Sequence, residues 1–95
     1  MERATVDVDG TGRQSLFDGE PRTVLLSLAA DERVPAHSHP VRAVVFHVLS
    51  GEIELTLDDE TTTLRAGEMS RFDGDCDISP YASKDARALV TLAKR

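Results

Sequence analysis

The stretch His37-Ser38-His39-Pro40-Val41-Arg42-Ala43-Val44-Val45-Phe46-His47-Val48-Leu49-Ser50-Gly51-Glu52-Ile53-Glu54-Leu55-Thr56-Leu57 decides how this chain folds. It reads as an extended histidine pair, an apolar strand over Ala43 to Leu49, a tight turn at Ser50-Gly51, and a second strand. In that second strand Ile53, Leu55 and Leu57 alternate with polar residues, the two-residue period of a half-buried strand. Pro35 and Pro40 flank the histidines and keep them extended, since neither suits a helix interior. On extended backbone, residues i and i+2 point the same way, so His37 and His39 aim into one space. Neutral imidazole is the commonest metal ligand, and the pair would supply half of a metal site. Its plainer reading is two exposed loop histidines.

Working outward, turn residues recur at short intervals between runs rich in Thr, Val and Leu, the pattern of an all-β sandwich or barrel. Upstream, a short strand is expected over Ala4 to Val8, then a polar loop with edge contacts over Arg13 to Arg22, then a strand over Thr23 to Ala29. Downstream, Asp58-Asp59-Glu60 makes a hairpin tip, Thr61 to Arg65 returns, and Ala66-Gly67 turns into a strand over Met69 to Phe72. Asp73-Gly74-Asp75 turns again, Tyr81 follows Pro80 in a loop, and Ala86 to Ala93 forms the last strand. No segment shows a helical period. His47 has the opposite parity to Val44, Phe46 and Val48, which turns it to the other side of its sheet or toward a dimer contact.

Size and charge narrow the function. Residues 1–95 fit one domain, and a chain this short is only marginally stable alone, so a homodimer is expected. A net charge of −6, from 17 acidic against 11 basic residues without a basic cluster, argues against a nucleic-acid partner. No apolar run reaches membrane-spanning length and the first residues lack an apolar leader core, so a cytoplasmic protein with no membrane partner is expected. The lone Cys76 excludes an internal disulfide, and Asp75 and Asp77 beside it disfavour a reactive thiolate.

From about Thr23 to Ala93 the sequence resembles the cupin superfamily, small jelly-roll barrels of two sheets. That family's first motif runs Gly, five residues, His-x-His, three or four residues, Glu, six residues, Gly. Here His37-x-His39 and Gly51 match, while Asp31 stands at the leading Gly and Val44 at the Glu. The second motif is Gly, five residues, Pro-x-Gly, two residues, His, three residues, Asn. Gly67 fits its start, and an ungapped register puts Ile78 at the His and Ala82 at the Asn. A one-residue deletion would put Asp77 at the His instead.

The resemblance implies a double-stranded β-helix, or jelly-roll cupin barrel. It also implies, in the family's enzymes, a divalent metal held by three His and one Glu. Only His37 and His39 of that set are present. Asp77 is the best substitute ligand, but only in the gapped register or with a bulge; otherwise it is a solvated turn carboxylate. The sequence therefore supports a cupin that binds a small molecule, or weakly a divalent metal such as iron, manganese, nickel or zinc. Its pocket is expected to be lined by His37, His39, Val44, Phe46 and Ile78. An anionic or polar ligand group would suit the histidines, and apolar contact the rest. The alternative is a metal-dependent oxygenase or isomerase with a reduced ligand set.

Overall fold

A computed structural model describes residues 1–7 and 10–95. Among these residues nine strands form: β1 (Gly12–Asp18), β2 (Arg22–Leu28), β3 (Glu32–Arg33), β4 (Arg42–Ser50), β5 (Glu52–Leu57), β6 (Glu60–Arg65), β7 (Met69–Asp73), β8 (Ile78–Ala82) and β9 (Ala86–Lys94). They pair antiparallel into a five-stranded sheet, ordered β1-β2-β9-β4-β7, and a four-stranded sheet, ordered β3-β8-β5-β6. None of the described residues is helical, and no helix is long and apolar enough to cross a membrane. The expected all-β jelly roll is what the chain adopts.

Alternation sets which side of each strand is buried. On β4, Val44, Phe46 and Val48 are buried, while His47 sits on the outer face between Leu89 and Met69. On β5, Ile53 and Leu55 are buried and Glu52 and Glu54 are exposed. These inward side chains meet Leu28, Leu64, Ile78, Ala82, Ala86, Ala88 and Leu92 in one continuous core. Leu25 and Ser27 are buried although they lie on the outer face of β2. Gln14 and Arg87, their cross-strand neighbours, hold the N-terminal segment against that face. Gln14 accepts from Asp7 N and donates to Thr5 O, and Arg87 donates to Asp7 O and Gly10 O.

Glycines mark two of the six places where the chain leaves one sheet for the other. Gly51 joins β4 to β5 with φ +73°, and a Cβ there would come within 2.6 Å of Asp85 O and 2.9 Å of Ala86 Cβ. A side chain is excluded both by the left-handed backbone and by the space. Gly67 joins β6 to β7 with φ +90°, and its N–H donates to Val48 O. Asp58, at φ 56°, occupies the hairpin tip between β5 and β6.

The strand boundaries differ from expectation in three places. Gly12 to Asp18, expected as loop, is a strand at the edge of the larger sheet, with a bulge between Ser15 and Phe17. Its ladder comes from backbone groups, so a polar edge strand carries little apolar signal. Residues 4–7 form no strand, and Val8, the end of the strand expected there, lies outside the described residues. Pro80 and Tyr81, expected in a loop, lie inside β8, between β5 and β3. Pro80 O accepts from Val34 N, so this residue's polar groups face the irregular segment before β4. A residue of an antiparallel strand sends N and O to the same side, so the missing N–H leaves the ladder with β5 intact.

Candidate binding site

The two histidines are brought to the barrel interior by a short extended segment between β3 and β4. Its backbone is clamped from the opposite strand: His37 N donates to Ile78 O at 3.1 Å and Ile78 N to His37 O at 2.7 Å. Gly74 fixes the other end, its O accepting from His39 N at 2.8 Å and its N donating to Arg42 O at 2.8 Å. A Cβ on Gly74 would collide with His39 O, so only glycine lets the β7–β8 turn approach this closely. With both ends held, the imidazoles meet edge to face, ring centroids 4.8 Å apart. The shared orientation expected from the i, i+2 spacing is present.

His37 Nδ1 lies 3.1 Å from Pro35 O. A carbonyl only accepts, so Nδ1 carries the proton and Nε2 keeps its lone pair while the ring is neutral. Burial, followed by the charges of His37, Arg13, Arg22 and Arg42, lowers the His39 pKa from 6.5. This imidazole is therefore neutral at neutral pH.

Beside the pair opens a cavity of about 70 Å³. His37, His39, Val44, Phe46 and Ile78 all line it, so the structure brings the five sequence-expected residues together. Val24, Leu26, Val34, Pro80, Val90 and Leu92 complete an apolar wall, and Arg13 stands at its rim. No carboxylate faces in. Arg13 was missed from the sequence because β1 was expected as loop. Its only signal was the alternation that, once Arg13 pairs with Leu26, puts both on the inner face.

The family's metal set can be tested against these positions. Val44 and Ile78, at the expected Glu and His, are buried and apolar, at 2% and 4% exposure. Ile78 faces the cavity and Asp77 is exposed, so the ungapped register holds. Asp77 N donates to Asp58 Oδ1 at 3.0 Å and Asp77 O accepts from Asp58 N at 2.8 Å, fixing it as a turn carboxylate. Cys76 is half-buried, its thiol 3.4 Å from Asp73 O, with its pKa raised by burial and by four surrounding carboxylates. Tyr81 lies outside the cavity lining, its hydroxyl donating to Asp31 Oδ1 and its ring under the Arg33 guanidinium. Among the described residues no group of three His, Cys, Asp or Glu side chains is placed to hold a metal ion. Two imidazoles against an apolar wall do not fit the family's metal, because a catalytic site normally needs three protein ligands and an apolar wall offers nothing to replace lost hydration.

Similarity to known proteins agrees with the architecture. The family model for the cupin domain matches residues 24–91. A RmlC-like cupin from Desulfovibrio desulfuricans superposes with a TM-score of 0.85 at 20% identity, covering 98% of this chain and 97% of that one. A cupin protein from Bacteroides fragilis gives a TM-score of 0.80 at 25% identity, covering 99% and 86%. A conserved Streptococcus pyogenes protein of unknown function gives 0.79 at 24%, covering 100% and 91%. A search of curated proteins finds no match. With its histidine pair, Gly51 and Gly67, the greater parts of β2 and β9 and every strand between them inside the matched region, this chain belongs to the cupin family.

Proposed function

We propose that this cupin is a small-molecule-binding protein whose ligand places an apolar group between the sheets and a polar group at the histidines. The observation that carries this reading is the cavity lining: His37 and His39 beside Val44 and Ile78, with no carboxylate. A water needs about 10–15 Å³ of such space, so about 70 Å³ accommodates a ligand group of a few heavy atoms. That is small against a drug-sized site, and it favours a short branched or cyclic hydrocarbon portion. With Nδ1 of His37 turned to Pro35 O, its Nε2 faces the polar end, and the neutral His39 ring carries one donor and one acceptor nitrogen.

The test is methyl-detected NMR on protein with labelled Val, Leu and Ile, titrated with a panel of small amphiphilic molecules. Binding is expected to move the methyl resonances of Val44, Ile78 and Leu92 together, while those of Ile53 and Leu55 stay in place. A panel that moves none of the three would reject the reading. Metal content per chain, measured on untagged protein purified without chelators, is expected far below one. Near-stoichiometric metal that disappears in a His37→Ala, His39→Ala variant would instead support the oxygenase or isomerase alternative.

A further inference from the structure

In a chain of net charge −6, one arginine, Arg13, and no carboxylate line the cavity. Arg13 reaches it from β1, and its guanidinium has no hydrogen bond or ion pair among the described residues. Arg22, on β2, has the same parity as Val24 and Leu26, two residues of the wall. Its cross-strand partner Leu92 is a third. The Arg22 Nε is buried without a hydrogen-bond partner, 3.6 Å from the largely exposed Asp18 carboxylate. A buried donor left unmatched is costly, and it marks a place where an acceptor belongs. Arg42, also on the inner face, is by contrast already engaged with Glu20 at 3.4 Å.

We propose that Arg13 and Arg22 form an anion subsite at the mouth of the barrel, so that the ligand is a small carboxylate with an apolar tail. The inference rests on the pocket reading above and adds to it the charge of the ligand and the residues that select it. The planar guanidinium presents paired donors that match a carboxylate, and these charge-assisted bonds are about twice as strong as neutral ones. Arg13 and Arg22 both lie near enough to His39 to act on its charge, so the arginines and the histidine share one field. An anion entering there meets no opposing carboxylate in the lining.

The experiment compares 2-methylpropanoate with its uncharged near-isostere 2-methylpropanamide, each titrated into the methyl-labelled protein. Shifts at Val44, Ile78 and Leu92 report cavity entry. The carboxylate is expected to bind roughly tenfold to a hundredfold more tightly, the range that a charged hydrogen bond supplies. Arg13→Gln and Arg22→Gln, each checked for an unchanged methyl spectrum without ligand, are expected to erase that preference. Arg71→Gln removes the same charge from an exposed arginine opposite Val45 on the outer face and is expected to keep it. Equal affinity for both probes would overturn the anion subsite while leaving the pocket reading standing. No cavity shift with either probe would overturn the anion subsite, and with the rest of the amphiphile panel equally silent it would overturn the pocket reading as well. Loss of preference in Arg71→Gln to the same degree would reduce the effect to net charge and overturn the assignment to Arg13 and Arg22.

Discussion

The two ends of the barrel interior are built from the same strands and differ in what fills them. At one end Val48, Ile53, Leu55, Leu64, Ala82, Ala86 and Ala88 close on each other, and Val48, Ile53, Ala82 and Ala88 have no exposed surface. At the other, Val44, Phe46, Ile78 and Leu92 belong to the same core but also line the cavity beside His37 and His39. Small alanines on β8 and β9 let the sheets close at the first end. At the second, the histidine segment runs between β3 and β4 outside any regular strand, and β3 itself is only two residues long. A jelly roll therefore separates stability from binding along its own axis, with packing at one end and an access route at the other.

The largest effect that sharpens this contrast is expected from truncating one wall residue at each end. Ile53→Ala would leave a closed void and cost about 2–5 kcal/mol. Val44, 2% exposed, already lines the cavity, so Val44→Ala widens existing space rather than opening a closed void and costs about 1–2 kcal/mol for the two carbons lost. Urea unfolding of the two variants checks the ordering. Equal losses would mean that the open end is as tightly packed as the closed one.

Next comes the clamp that holds the open end in place. Gly74→Ala forces a methyl into His39 O, with His39 Cβ at 3.0 Å and Arg42 O at 3.1 Å also in the way. Overpacking of this kind costs about 1–3 kcal/mol, and the His39 amide resonance is expected to shift while that of Ile53 does not. Gly67→Ala, with nothing within 4 Å of its Cβ but φ at +90°, carries backbone strain alone and is expected to leave His39 undisturbed. A His39 shift of the same size in Gly67→Ala would break the assignment of the clamp to Gly74.

The smallest effect is in pH dependence. Burial and nearby positive charge hold the folded His39 pKa below 6.5, so the unfolded chain binds the extra proton more readily. This group therefore takes nothing from stability above 6.5. Its penalty grows as pH falls below 6.5 and levels off once pH is under the folded value. Melting temperatures of the natural chain and of His39→Gln, compared from pH 8 to pH 5, are expected to diverge at the acid end, with the natural chain losing more. Divergence of the opposite sign would show an anionic group against His39, and addition of a carboxylate ligand is expected to shrink the loss.

Much of this was legible before any coordinates. Alternation over Val44, Phe46 and Val48 and over Ile53 and Leu55 gave the inward faces, and Gly51 and Gly67 sit where the chain changes sheet. The i, i+2 histidines pointed to a shared space because strand parity is local geometry. What escaped was structure supported from elsewhere in the chain. β1 is polar and exists because β2 offers it a ladder, and β8 contains Pro80 because the neighbour on that side is irregular. Arg13 became visible as a rim residue only with its pairing to Leu26.

The sequence by itself determined the sheet faces, the sheet-crossing turns and the family, since these follow from two-residue periodicity, glycine-only backbone and motif spacing. Tertiary structure alone decided between Ile78 and Asp77 at the second-motif position, because that choice depends on whether a turn absorbs one residue. The backbone pairing of Ile78 with His37 resolved it. It also decided that the interior holds an apolar cavity with Arg13 in its lining, since a cavity is a property of surfaces brought together across the fold, and no local pattern records the distance between them.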